Sequence, residues 1–219
     1  SNNIYVGWDS REDIAYQVCE HSIKRRAQQN NINVSPLKQN TLREQKLYWR
    51  EQDKLSSTEF TITRFLVPHL NKFAGWAVFC DCDMVWRCNP NELFDQVDDS
   101  KAVMVVKHEY DVAQGTKMDG QAQLPYPRKN WSSMILWNCG HPKNKALDLQ
   151  TVNTASPSFL HRFEWLDDED IGTLNHSWNW LVGWYDVERD GEPKIIHYTE
   201  GGPWFEETRH CEFGHIWKQ

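Results

Sequence analysis

An α/β fold built on one layered, mostly parallel sheet is the architecture this chain predicts, on three observations. Short apolar runs of strand length recur along it, among them Ile4–Trp8, Trp76–Cys80, Ala102–Lys107 and Lys194–Tyr198. An amphipathic helical pattern follows the first of them, as alternating β and α elements require. No internal repeat, coiled-coil heptad or low-complexity tract breaks the 219 residues, a length that suits one domain with a sizeable core.

Each element has its own signal. Ile4-Tyr5-Val6-Gly7-Trp8 is the opening strand, and Asp9-Ser10-Arg11-Glu12 is the turn and helix cap after it. From Asp13 to Gln28, Ile14, Ala15, Val18, Cys19, Ser22 and Ile23 recur at spacings of three and four, which makes a helix with one apolar face. Asn33–Leu37 is a second short strand, followed by a polar stretch to Gln52. Ser57-Thr58-Glu59 reads as a helix start, and Phe60 to Phe73 as the helix, with a kink or break at Pro68. The strand Trp76–Cys80 runs out into Asp81 and Asp83, and Ala102–Lys107 is the next strand. Tyr110–Asn130, rich in Gly, Gln, Pro and charge, has no period and reads as a functional or flexible loop. Ser132–Trp137 is a strand ending at Asn138, Asp167–Leu174 a short helix, and Lys194–Tyr198 the last core strand. The sheet is expected to be mostly parallel in the first half of the chain.

Composition narrows the function. With 24 basic and 31 acidic residues the net charge is −7, which argues against general binding of nucleic acid or anionic membranes. The longest apolar runs fall far short of a membrane span. The N-terminal Ser1-Asn2-Asn3 leads straight into a strand pattern rather than a signal peptide, so a cytoplasmic location is expected. Cys19, Cys80, Cys82, Cys88, Cys139 and Cys211 show no disulfide framework and lack the paired C-x-x-C spacing of structural zinc sites, so they read as buried, reduced thiols. Aromatic faces often line sugar and base sites, but most of the twelve tryptophans are accounted for as core and surface anchors.

The chemistry concentrates in Asp81-Cys82-Asp83. Residues i and i+2 of a strand share a face, so the two carboxylates project together where the strand emerges, and Cys82 faces the other way. Such a pair repels itself unless a cation lies between, and hard oxygen ligands suit Mg²⁺ or Mn²⁺ together with a substrate phosphate. In α/β sheets ligands collect beyond the carboxyl ends of the strands. His197 ends an apolar strand there, before Thr199-Glu200-Gly201-Gly202-Pro203, and could add a nitrogen ligand. Gly201 and Gly202 would let backbone approach phosphate.

In order along the chain stand Gly7-Trp8-Asp9, Arg64, Asp81-Cys82-Asp83, Trp131-Ser132-Ser133-Met134, Asp168-Glu169-Asp170-Ile171, Trp178-Asn179 and His197-Tyr198…Gly201-Gly202-Pro203-Trp204. This series resembles the family-eight glycosyltransferases, the glycogenin-like and bacterial galactosyltransferase-like enzymes, and small putative bacterial and viral relatives. The resemblance covers Ile4 to about Phe205. It implies a Rossmann-like GT-A fold in a single domain over 1–219, with nucleotide binding in 1–107 and donor sugar and acceptor in 108–219. By the same resemblance Asp81, Asp83 and His197 hold Mn²⁺ or Mg²⁺, and Val6, Gly7, Trp8 and Asp9 hold the nucleoside, with Cys82 beside them. Arg64 pairs with donor phosphate or stabilises the acidic site; Asp168 and Glu169 face the donor sugar; Gly201 and Gly202 approach the diphosphate. The implied partners are a nucleotide-sugar donor, a UDP-sugar above all, and a saccharide or other hydroxyl acceptor, with retention of configuration. One position departs from the pattern. The family's lysine before the final Pro-Trp is Gly202 here, and Lys107, Lys117, Arg128 or Lys129 could take over its charge.

Two other classes fit parts of the chain. Asp81-Cys82-Asp83-Met84-Val85 also matches the nucleophile motif of haloacid-dehalogenase-like phosphatases, with Asp167 and Asp168 as the late metal pair, but that motif usually opens a chain and leaves His197–Trp204 unused. A non-catalytic nucleotide-sugar binding protein would explain the missing lysine.

Overall fold

The structure, a computed structural model, describes residues 2–27, 31–51, 58–108, 128–199 and 214–218. Among the described residues nine strands form two sheets. The larger has six, in the order β2 (Ile32–Leu37), β1 (Asn2–Gly7), β3 (Trp76–Cys80), β6 (Met134–Asn138), β5 (Val103–Val105) and β7 (Ile171–Thr173). β2, β1 and β3 pair in parallel, as do β5 and β7, whereas β6 pairs antiparallel on both sides. Five strands therefore run one way and β6 alone is reversed, the mostly parallel α/β sheet expected. Ile4, Val6, Ala77, Val78, Phe79, Ile135 and Leu136 are fully buried, because covering elements on both faces demand unbroken apolar runs rather than alternation.

Helix α1 (Asp13–Arg26) buries Ala15, Tyr16, Cys19, Ser22 and Ile23, the spacing read from the sequence. It is fastened at two levels: Cys19 Sγ lies 3.9 Å from Cys80 Sγ of β3, and Ser22 Oγ accepts from the Trp86 N–H at 3.0 Å. Trp86 belongs to β4 (Met84–Trp86), which with β9 (Ile195–His197) and β8 (Trp180–Leu181) makes the second sheet, in the order β4-β9-β8. The described cysteines Cys19, Cys80, Cys82, Cys88 and Cys139 are free thiols.

Three expectations need correction. Asp167–Leu174 is not a helix but a 3-10 turn, Asp168–Asp170, leading into β7. The Asp170 carboxylate accepts from the Asp167 N–H at 2.8 Å and closes that turn. β7 must then lie flat on β5: a Cβ on Gly172 would stand 2.8 Å from Met104 Cγ. Around Pro68 the expected kinked helix is two short pieces, a 3-10 turn Thr63–Leu66 and a helical turn Val67–Leu70. Pro68 falls in the first turn of the second piece, where its missing N–H has no partner to lose, so it begins a helix instead of breaking one. Lys72 and Phe73 then end it with positive φ of 57° and 52°. Lastly, Trp131–Ser133 forms a 3-10 turn, and the strand predicted from Ser132 starts at Met134. The helix start at Ser57 and most of the Tyr110–Asn130 loop lie outside the described residues.

Candidate metal and donor site

Asp81, Cys82 and Asp83 are the joint between the two sheets rather than a continuation of one strand. The Asp81 N–H donates to Ser133 O at 2.9 Å, adding one rung to the β3–β6 pairing. On the other side Asp83 O accepts from the Tyr198 N–H at 3.0 Å, adding a rung to β4–β9, in which Met84 faces His197. β9 is thereby registered against the residue next to Asp83. Nε2 of His197 lies 3.0 Å from Asp83 Oδ1 and 3.7 Å from Asp81 Oδ2, and ligand atoms of all three residues fall within 4.8 Å of one another. Cys82 points the opposite way and is buried, its Sγ 3.8 Å from Glu12 Oε2.

The histidine is aimed. Its Nδ1 lies 2.9 Å from Asn179 Oδ1, and the Asn179 amide in turn donates to Ser133 Oγ at 2.8 Å, which fixes which end of the amide is oxygen. Nδ1 must therefore carry the proton, and the Nε2 lone pair faces the carboxylates, as in metal-binding histidines. Asn179 and His197 are both buried, so no water substitutes for this bond.

The electrostatics call for a cation. Burial pushes the Asp81 carboxyl up, Arg64 beside it pulls it back, and it settles at about 6. For His197, burial lowers the pKa but Asp83 and Asp81 more than offset that, leaving it raised. Oδ1 of Asp81 faces the Arg64 guanidinium and Oδ1 of Asp83 faces Nε2 of His197, so two carboxylates and an imidazole converge in one buried spot. Two carboxylates and one oriented imidazole nitrogen within 4.8 Å of one another fit a divalent cation of the Mn²⁺ or Mg²⁺ kind.

Arg64 sits 3.1 Å from Asp81 Oδ1, with its guanidinium 4.7 Å over the Phe79 ring. It donates to Ser132 O at 2.8 Å and Thr61 O at 3.0 Å. Pinned on several sides and buried, it holds Asp81 in place. Arg64 and Asp81 open on a cavity of about 440 Å³, whose wall includes Arg128, Lys129, Ser132 and His161. Arg128, at φ 58°, caps the turn after Leu160: Nη1 donates to Arg162 O at 2.6 Å and Phe163 O at 2.7 Å. Its Nη2 reaches Asp168 Oδ1 at 2.6 Å. Asp168 is exposed but tethered, and Arg128 holds its carboxyl below the usual range. Glu169 is exposed, and its carbonyl takes the Lys101 ammonium at 2.7 Å. Lys107 is spent on Ile171 O at 2.8 Å. Lys143 bridges Asp167 and Asp170 at 3.0 and 2.5 Å, so the Asp167–Asp168 pair that the phosphatase alternative needs is engaged by Lys143 and Arg128.

Val6, Gly7, Trp8 and Asp9 lie where β1 ends, on the same sheet edge as Asp81 because β1 and β3 are parallel. Gly7 has a packing reason: a Cβ there would stand 2.4 Å from the Phe60 ring. Trp8 donates to Asp13 Oδ1 at 2.8 Å and carries the Lys38 ammonium 4.8 Å over its ring. The buried Asp9 carboxylate accepts from the backbone N–H groups of Arg11 at 2.8 Å and Glu59 at 3.0 Å, which makes it an organiser of the turn. Gly201, Gly202 and Lys117 lie outside the described residues. The sequence assigned no role to Asn179, Ser133 or Glu12, since a buried polar side chain that orients a ligand looks like any other until its partner is known.

The fold is that of the GT-A glycosyltransferases. It matches WbbM, a bifunctional glycosyltransferase, with a TM-score of 0.68 and 17% identity over 99% of this chain and 49% of WbbM. GlyE, a glycosyltransferase of Streptococcus pneumoniae TIGR4, matches with a TM-score of 0.64 and 12% identity over 100% of this chain and 59% of that one. The chain thus spans about half of WbbM and under two thirds of GlyE. The galactosyltransferase LgtC, in complex with donor and acceptor sugar analogs, gives 0.55 and 12% over 99% and 94%. No family model matches the sequence. Protein CDI of Arabidopsis thaliana is 52% identical over 217 residues, covering 98% of this chain and 83% of that protein, and the chain belongs to its family. No helix among the described residues is long and apolar enough to cross a membrane.

Proposed function

We propose that this protein is a metal-dependent glycosyltransferase of the family-eight kind, transferring a hexose from a UDP-sugar to a hydroxyl acceptor with retention, in the cytoplasm. The observation that carries the reading is the convergence of Asp81, Asp83 and His197 at the joint of a GT-A fold. A divalent cation, Mn²⁺ or Mg²⁺, held by these three residues would act as Lewis acid on the departing diphosphate. Arg64 keeps Asp81 in position for that task, and Asn179 keeps His197. Asp168 and Glu169 supply negative charge for the oxocarbenium-like transition state, with Arg128 setting the direction of Asp168. Lys129, on the cavity wall with Asp81, is the cation assigned to the leaving group where the family has its lysine.

Incubation with UDP-glucose or UDP-galactose tests this, with Mn²⁺ or with EDTA. Metal-dependent release of UDP is the expected result. Phosphate released from a monoester substrate would move the protein to the phosphatases, and metal-dependent UDP-sugar binding without turnover would make it a binding protein.

A further inference from the structure

Burying a polar atom without a partner costs about 1–3 kcal/mol, so where several gather a ligand is expected to complete them. Among the described residues His108 Nε2 and Thr199 Oγ1 are such atoms. Thr199 follows the candidate metal ligand His197 by two residues. His108 Nε2 is used by nothing described above.

His108 stands three residues past the end of β5. β5 runs in the same direction as β3, so His108 leaves the sheet at the edge that carries Asp81. Its Nδ1 lies 2.7 Å from the Tyr185 hydroxyl. The Tyr185 N–H donates to Leu181 O at 3.1 Å, and Leu181 is the β8 residue in register with His197. One short turn thus joins the two imidazoles. The His108 ring lies 5.8 Å from the Tyr185 ring, which is itself stacked on His176 at 5.2 Å and tilted against Trp180 at 6.0 Å.

His108 is 7% exposed. That burial, with His197 and His176 nearby, holds its pKa at about 3, so at neutral pH the ring is uncharged. With Nδ1 engaged by Tyr185, Nε2 offers one neutral hydrogen bond beside the Tyr185 ring. Phosphate or carboxylate calls for a cation at such a point, whereas a sugar presents hydroxyls and an apolar ring face.

We infer that His108 is a donor-sugar binding residue, its Nε2 taking a hydroxyl of the hexose carried by the nucleotide. This rests on the donor reading above. Two amide substitutions divide the ring's two nitrogens between them. His108→Asn keeps an amide for Tyr185 and removes Nε2; His108→Gln puts its amide where Nε2 stood and gives up Tyr185.

Calorimetric titration of UDP, UDP-glucose and UDP-galactose at saturating Mn²⁺ reads the outcome. Wild-type protein should bind the better UDP-hexose more tightly than UDP. H108N should bind UDP as wild type does and lose about ten-fold in affinity for that UDP-hexose, the worth of one good hydrogen bond, while H108Q keeps most of it. Unchanged UDP-hexose affinity in H108N, or an equal loss of UDP and UDP-hexose, overturns the assignment and leaves the donor reading standing. Wild type that binds neither ligand overturns both. Should H108N not fold, monodeoxy UDP-hexoses decide: one of them should bind wild type about ten-fold more weakly, and equal binding of all overturns the assignment.

Discussion

Removing the Asn179 side chain should weaken metal binding without touching a ligand. In Asn179→Ala the Nδ1–H of His197 loses its acceptor at 2.9 Å, and both groups are too buried for water to replace it. An orphaned buried donor costs about 1–3 kcal/mol. If the imidazole stayed where it is, that cost would fall on the fold alone and metal affinity would not change. The bond is also what selects the tautomer and turns Nε2 toward Asp81 and Asp83, so part of the cost should pass to the metal. Losses of this kind run about 10- to 100-fold in metal affinity. Asn179→Asp keeps an acceptor for Nδ1 and should retain most of the affinity. The assay is Mn²⁺ titration in the presence of UDP, read by thermal shift, with urea denaturation in EDTA reporting the fold separately. An alanine variant that is less stable in EDTA yet binds Mn²⁺ like wild type would refute the orienting role.

Further expectations can be checked one by one. Asp83→Ala should abolish the Mn²⁺-dependent stabilisation by UDP, about 2.7 kcal/mol at a hundredfold excess of ligand over Kd, with the fold retained in EDTA; unchanged UDP stabilisation would reject the Asp81–Asp83 reading. Gly7→Ala drives a Cβ to 2.4 Å from the Phe60 ring and should cost about 1–3 kcal/mol, partly recovered by Phe60→Leu, with chemical denaturation as the measure. His108 has its pKa lowered to about 3 when folded, against about 6.5 unfolded. The unfolded chain therefore binds the extra proton in that window, and stability present above pH 6.5 is lost as pH falls toward 3. H108N should flatten the wild-type slope there by about 1.4 kcal/mol per pH unit, and parallel urea profiles would contradict it. Lys129→Ala should lower turnover of the UDP-sugar more than its binding, since leaving-group charge develops in the transition state; full activity in that variant would leave the departing charge to the metal alone.

How far the sequence discloses the protein differs from element to element. β3 and the aspartates after it were legible because an unbroken apolar run has one outcome in a covered sheet and paired carboxylates have few reasons to stand at its end. His197 was legible by its place before a glycine turn, although only the β4–β9 register brings it to Asp83. The acidic segment at Asp167 was misread because its capping residues announce a helix start, and nothing local says that Gly172 must clear Met104 on a neighbouring strand. Pro68 misled for a related reason: proline breaks a helix or begins one, and the difference is a shift of one turn. The reversed direction of β6 and the Arg128–Asp168 tether are products of long-range packing, and a tether between residues 40 apart in sequence leaves no local trace.

The central claim is that the fold carries Asp81, Asp83 and His197 onto one divalent ion. Pulsed EPR on the protein with Mn²⁺ and UDP, using histidine labelled with ¹⁵N, measures this directly. The account predicts a Mn²⁺ signal coupled to one histidine nitrogen, and loss of that coupling in His197→Gln. Mn²⁺ bound together with UDP but showing no histidine nitrogen in the wild-type protein would contradict it.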